Sequence, residues 1–414
     1  MSLPANISVS FDFSSGATFG YPFTIGDAKY GVLGVSQLAA NSPADPIVDL
    51  TPNTYNITIN RGRSIMRDTY EAGTAVVRVL DPDSYFNPQN TSSPYYGYLT
   101  PLRKLRVAAT TSSGQKFLFS GYTTEYRYHY PINQETAYVD IYCADAFRLM
   151  QLASVSTISG ANSVQSTGTR IGKILDQMSF PSNMRTLDTG DSLCQADPGT
   201  SRSGLDALKN AEFSEQGAFY INPNGTAIFK SRSNVQKSIA STPIEFNQTT
   251  GIPYANLVFA FDDKLIINQA TMTRYGGTAQ FYQNAASVAR YFPHAQNQSN
   301  LVIDTDAAAA NIAATYVATR QETTIRIDQM KVNLLDPLVP TDTMIGLDYF
   351  DVLSITNTQP DGSTIHKVLQ CQGLKWEITP QSMFCTVTTL EPITDGFIIG
   401  NSERGIIGVS AMTY

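Results

Sequence analysis

Apolar and polar positions alternate most cleanly in residues 74–80, where Ala75, Val77 and Val79 share one face and Thr74, Val76, Arg78 and Leu80 the other. A period of two carried by β-branched residues predicts a strand with at least one buried face. Tyr55, Ile57 and Ile59 alternate with Asn56, Thr58 and Asn60 and predict the strand before it. Residues 102–108, 116–120, 124–130 and 137–142 continue the series, with Gly121-Tyr122 ending one strand and Pro131-Ile132-Asn133 turning a hairpin. A strand near residues 7–13 and an arm through 43–52 precede them. The period changes after Ala144. Residues 146–153, 167–180 and 205–216 read as helices, the second with Ile171, Ile174, Leu175 and Met178 on one stripe, the third capped by Ser201 or Ser203. Gly217 stops that helix, and Asn224-Gly225 predicts a tight hairpin, because Asn-Gly supplies the positive φ the turn needs. Residues 230–250 read as a polar connection and 283–300 as a polar stretch. Strands are expected at 257–261 and 265–275, then an alanine-rich helix over 305–320 capped by Asp304 or Thr305. Five strands close the pattern: 324–333, 349–356, 364–370, 374–378 and 383–390.

This pattern divides the chain into a β-rich segment (1–145), an α/β segment (146–235), a second β-rich segment with one helix (236–392) and a tail (393–414). The fold class is mainly β with α+β parts. No repeat is visible between the two β-rich segments.

The strand at 74–80 runs into a loop unlike the rest of the chain. Asp81-Pro82-Asp83-Ser84 opens a turn, and Asn87-Pro88 and Ser93-Pro94 keep the backbone out of helix. Tyr85, Phe86, Tyr95, Tyr96 and Tyr98 sit among these turn residues, so the loop is expected to be packed and ordered, against another domain or subunit.

The pieces around this loop resemble the signature of minor tail proteins of long-tailed bacteriophages, the tail hub or baseplate hub family. They read Arg61-Gly62-Arg63, Glu71-Ala72-Gly73-Thr74, Asp81, Phe86-Asn87-Pro88-Gln89-Asn90 and Thr91-Ser92-Ser93-Pro94-Tyr95-Tyr96. Further on, Gly217, Tyr220 and Gly225 resemble the family's hairpin, the run from Leu265 to Thr273 a second strand element, and Gly373, Trp376, Ile378, Thr379 and Pro380 its closing motif; residues 348–353 match only loosely. The resemblance marks Arg61, Gly73, Asp81, Phe86, Pro88, Asn90, Pro94, Tyr95, Gly373 and Trp376 as structural signature positions. It implies two tail-tube-like β-barrel domains with a small α/β domain, and a homotrimeric ring of six barrels at the tail tip of a virion assembled in the host bacterial cytoplasm. It further implies a channel for genomic DNA and, as partners, the distal tail protein, the tape-measure protein's C-terminus and tail fibre or spike proteins.

Composition narrows the alternatives. Only 15% of the 414 residues are charged, the net charge is −7, and no Lys/Arg run occurs, which argues against sequence-specific nucleic-acid binding and suits a wall that DNA slides past. The opening MSLPANISVSFDF lacks a basic stretch and an apolar core, so no signal peptide is expected, and no run is long enough for a membrane span. Cys143, Cys194, Cys371 and Cys385 have no CxxC spacing, so neither a disulfide framework nor a zinc site is expected. His129, His294 and His366 fit no metal motif; GxSxG, P-loop and GxGxxG patterns are absent; Asp81/Asp83 and Asp262/Asp263 are neighbours whose side chains suit turn capping better than catalysis. The expectation is a structural protein without catalytic residues, cofactor or metal. The alternative is a receptor-binding, carbohydrate-binding tail adhesin, with Tyr126–Tyr130 and Tyr95–Tyr98 as sugar-stacking platforms rather than interface aromatics.

Overall fold

The computed structural model describes residues 3–13, 17–19, 47–64, 69–132, 134–323 and 325–391. The expected tail 393–414, the glycine-punctuated stretch 20–42 and most of the arm before Ile47 lie outside them.

The first β-rich segment contributes six main strands: Asn6–Asp12, Thr54–Ser64, Thr74–Leu80, Lys104–Thr111, Gly114–His129 and Tyr138–Ala144. Numbered one to six in chain order, they lie side by side as 2-3-6-5-4-1, every neighbour antiparallel, with the short strand Ile47–Asp49 on the outer edge of strand one. The alternation at 74–80 has its physical cause here. Ala75, Val77 and Val79 are buried in the core, while Arg78 reaches along the outer face to Asp140 on the neighbouring strand at 2.7 Å.

The second β-rich segment also supplies six: Ile244–Phe246, Ala255–Ala260, Arg326–Asn333, Val352–Thr358, Thr364–Thr379 and Ser382–Leu390. Their order is again 2-3-6-5-4-1, antiparallel except between strands one and four. The repeat absent from the sequence pattern is therefore present in topology. It extends to detail. Strand five is 16 residues long in both halves. Its first part pairs with strand four and its second with strand six, changing partner at Tyr122 in one half and Gln370 in the other. A β-bulge follows at once, between Thr123 and Glu125 and between Cys371 and Gly373.

Two expectations are corrected at this strand. Gly121-Tyr122 does not end it, and residues 364–370 and 374–378 are not separate strands; in both halves the chain bends through the bulge and continues. A bulge breaks the period of two without breaking the ladder.

The halves are joined edge to edge. Residues 57–62 of strand two in the first half pair antiparallel with residues 373–378 of strand five in the second, giving one 14-stranded sheet over one shared core. Among the described residues neither unit closes into a barrel. A strand has two edges, and strand two of the first half spends them on strand three and on the second half, so it cannot also pair with strand one. Instead Leu50 N–H and Val9 N–H make single bonds, to Val9 O and Thr51 Oγ1, across the gap.

The α/β segment has its own core under helices Phe147–Leu152, Thr167–Gln177 and Gly204–Glu215, the last two capped by Ser166 and Ser203, with a three-stranded sheet whose hairpin turns at Gly225 with φ 80°. Residues 230–250, expected as a connection, contain helix Arg232–Lys237 and strand Ile244–Phe246. Between strands two and three of the second half sits a further unit. Helix Asp306–Ala318, capped by Thr305, packs on strands Gln269–Arg274, Gln280–Gln283 and Ala295–Leu301. The stretch 283–300, read from sequence only as polar, holds helix Ala285–Tyr291 and the third of those strands. Among the described residues no helix is long and apolar enough to cross a membrane, and all four cysteines are free and buried.

A Cβ on Gly373 would stand 3.2 Å from Arg61 O and from Thr388 Cβ, and 3.3 Å from Gly62 Cα. Gly373→Val is expected to destabilise the chain by about 1–3 kcal/mol through overpacking. Urea unfolding followed by fluorescence of Trp376, the single tryptophan, reads this directly. Trp376→Ala, which empties a buried site opposite Ile59, is expected to cost about 3–5 kcal/mol by circular dichroism.

Candidate functional site

The signature positions fall into two clusters, and both are structural. The first is the seam. Arg61 is buried where three segments meet. Its guanidinium donates to Ile221 O of the α/β segment at 3.1 Å and to Asp348 of the second half at 3.3 Å, and lies 4.8 Å from the Tyr349 ring centroid. Tyr349 continues into an aromatic cluster with Tyr70, Tyr220 and Phe350, and Tyr70 OH donates to Gln372 at 2.6 Å. Gly73 lies on the other side of Arg61. Its N–H donates to Asp145 Oδ2 at 2.6 Å, and a Cβ there would stand 2.9 Å from that oxygen and 3.1 Å from Arg61 Cγ. Asp145 also accepts from Phe147 N–H at 2.9 Å, which starts the first helix of the α/β segment. Glycine at 73 is thus required by close approach. Asp145, Ile221, Asp348, Tyr349, Tyr70 and Tyr220 were invisible as a group in the sequence, because they come from four separate stretches with no shared spacing.

The second cluster is the aromatic loop. It is a run of five consecutive turns, each closed by an N–H three residues on: Ser84 to Asp81 O, Asn87 to Ser84 O, Asn90 to Asn87 O, Ser93 to Asn90 O and Tyr96 to Ser93 O. Pro82, Pro88 and Pro94 each occupy the second position of a turn, where proline presets φ. The residues that open the turns lock them. Asp81 accepts from Tyr85 N–H at 2.7 Å and Phe86 N–H at 3.1 Å, Asn87 from Gln89 N–H, Asn90 from Ser92 N–H, and Ser93 Oγ from Tyr95 N–H. Asn90 also donates to Ser84 O at 3.0 Å. Phe86 is buried, and Tyr95 stacks on Phe13 with centroids 5.0 Å apart. Asp81 further accepts from Tyr130 OH at 2.9 Å, while burial raises its carboxyl above the usual range.

The remaining candidates do not converge. His129 stacks on Tyr138, His294 Nε2 meets Tyr291 O at 3.0 Å, and His366 Nε2 meets Ser354 Oγ at 3.2 Å, each on a different element. Asp262 is gripped by Arg326, which holds its carboxyl down to about 2. Among the described residues no three His, Cys, Asp or Glu side chains are placed to hold a metal ion. Tyr126, Tyr128 and Tyr130 form a stacked row, with centroids 6.5 and 5.9 Å apart.

No protein-family model matches the sequence, and no curated protein does. Solved structures do match the fold. The tail protein from Neisseria meningitidis MC58 superposes with a TM-score of 0.54 over 84% of this chain and 93% of that one, at 10% identity. The 43 kDa tail protein of prophage MuSo2 from Shewanella oneidensis gives 0.53 over 84% and 96%, at 9% identity. The chain has the fold of phage tail proteins. At such identity it is the architecture that is shared, and the tail-protein fold here is held by the seam and the loop just described.

Two outcomes are expected. Asn90→Ala removes the bonds that tie successive turns of the loop, and is expected to cost about 1 kcal/mol and speed amide exchange across residues 83–96. Asp145 supplies a pH dependence. Burial raises its carboxyl to about 7, outweighing its two N–H donors and Arg61. The folded chain therefore holds this proton more tightly than the unfolded one, whose carboxyl titrates near pH 4. Stability from this group is full below about pH 4, falls as pH rises towards 7 and is level above. The loss between pH 5 and 8 is roughly 2–3 kcal/mol. Denaturation midpoints across that range should show a slope that Asp145→Asn flattens.

Proposed function

We propose that this protein is a structural tail hub: three copies form a ring at the tail tip that joins the six-fold tail tube to a three-fold tip and leaves a channel for DNA. The observation that carries the reading is the internal duplication, two six-stranded units of identical strand order in one chain with a tail-protein fold. Three copies present six such units, and six similar units meet a six-fold tube by quasi-equivalent contacts. Ring closure uses heterologous contacts, different on the two sides of each copy. The net charge of −7 suits a wall that releases DNA, since a basic lining would retain it through counterion release. In this reading the distal tail protein and the tape-measure C-terminus are axial partners, and fibre or spike proteins sit distally. The chain performs no catalysis, and its polar clusters serve assembly.

Imaging of assembled tail tips tests this. Three copies per tail around a neutral or acidic lumen are expected; six copies, or a basic lumen, would sink the reading. Purified protein is expected to leave cell-wall and polysaccharide substrates intact.

A further inference from the structure

The seam inside the chain has a vacant counterpart on its outside. Within the chain, strand two of the first half pairs with the second part of strand five of the second half. Duplication supplies the complementary elements once more. One is strand two of the second half, Ala255–Ala260, which ends the 14-stranded sheet and among the described residues pairs only with Arg326–Asn333. The other is the second part of strand five of the first half, residues 125–129, which pairs on one edge with Tyr138–Ala144. No strand pairs with its other edge among the described residues. The aromatic loop meets the flanking side chains, with Tyr126 OH donating to Thr100 O and Tyr130 OH to Asp81.

Burial shows the same vacancy. Counted from the shared bulge, Tyr126, Tyr128 and Tyr130 stand where Leu374, Trp376 and Ile378 stand in the second half. Leu374, Trp376 and Ile378 are each 2% exposed, because strand two of the first half brings Ile57 and Ile59 over against them. Tyr128 is 36% and Tyr130 39% exposed. On the opposite element, Leu257 and Phe259 are only partly buried where Ile57 and Ile59 are fully so, and Val258 is 41% exposed. Two open edges with half-covered apolar rows are a liability in a monomer.

We propose that the chain repeats its own seam between copies: Ala255–Ala260 of one copy adds antiparallel to residues 125–129 of the next. This rests on the ring reading above and specifies which surfaces close it. The register follows from the two ladders. Val258 opposes Gln329, then Thr388, then Gly373 across the second half, as Thr58 opposes Val76, then Tyr142, then Glu125 across the first. Val258 is thus the counterpart of Thr58. Thr58 faces Glu377 across the internal seam, and the counterpart of Glu377, four residues past the bulge, is His129. Val258 of one copy therefore faces His129 of its neighbour, on the outer surface, while the tyrosine row turns inward beneath Leu257 and Phe259. The Gly62–Gly373 contact has no glycine counterpart, since Asp262 and Glu125 take those places. The join between copies therefore lacks the tightest point of the internal one.

The test is the double variant Val258→Cys/His129→Cys, oxidised in solution and run without reductant; both sites are exposed and the four native cysteines are buried. Covalent dimers and trimers that collapse on reduction are expected, with neither single variant cross-linking. Native mass spectrometry runs in parallel. A trimer in which the double variant does not cross-link overturns the strand pairing and leaves the ring. Cross-linked open chains without a closed trimer uphold the pairing and overturn the ring. A monomer that never cross-links overturns both. In a second arm, Tyr128→Asp should weaken association at least about tenfold; unchanged association overturns the proposal.

Discussion

The antiparallel pairing of residues 57–62 with 373–378 is the constraint on which the rest depends. It merges two six-stranded units into one sheet, places Trp376 opposite Ile59 over a common core, and fixes Gly62 against Gly373. It also determines why the first unit does not close on itself, since its strand two has no edge left. Arg61 lies within this pairing and carries the constraint outward, tying the sheet to Ile221 of the α/β segment and to Asp348. A buried guanidinium is tolerated there because it is bonded on both sides and lies against Tyr349; removing either partner would leave it under-satisfied in a desolvated site.

The aromatic loop solves a different problem with local chemistry. A long connection between strands three and four would ordinarily leave many backbone groups unpaired. Five linked turns give most of them partners, and the Asp, Asn and Ser that open the turns lock them. Phe86 and Tyr95 then anchor the run to the core beside Phe13. The same loop receives the hydroxyls of Tyr126 and Tyr130, so it braces the row of tyrosines along the open edge of strand five.

Duplication relates these features. A chain that holds two copies of one unit, joined through unlike edges, carries the reciprocal edges on its outside. The buried row Leu374, Trp376 and Ile378 and the exposed row of tyrosines are one position of the repeat in two states of coverage.

Local chemistry was legible along the chain. The alternation at 74–80, the capped helices at Ser203 and Thr305, the Asn224-Gly225 turn and the proline-spaced turns of the loop all follow from short-range rules, and each appears where those rules place it. The division into β-rich and α/β stretches follows from the same periods. Elements whose register shifts were misread. Strand five was cut at Gly121 and again between Gln370 and Leu374, in both cases at the bulge, where two residues of one strand oppose one of its partner and the alternation slips by one. The same bulge interrupts the alternation in both copies, so the duplication is carried by the pairing of strands in space and not by the sequence pattern. The seam was equally beyond reach, because Arg61, Gly73, Asp145, Ile221, Asp348 and Gly373 are linked by no period. Sequence determines which stretches become strands and turns because those choices depend on neighbours a few residues away. Which edges meet, and so whether a unit closes or joins another, depends on hydrogen-bonding partners hundreds of residues apart, and only the tertiary structure decides it.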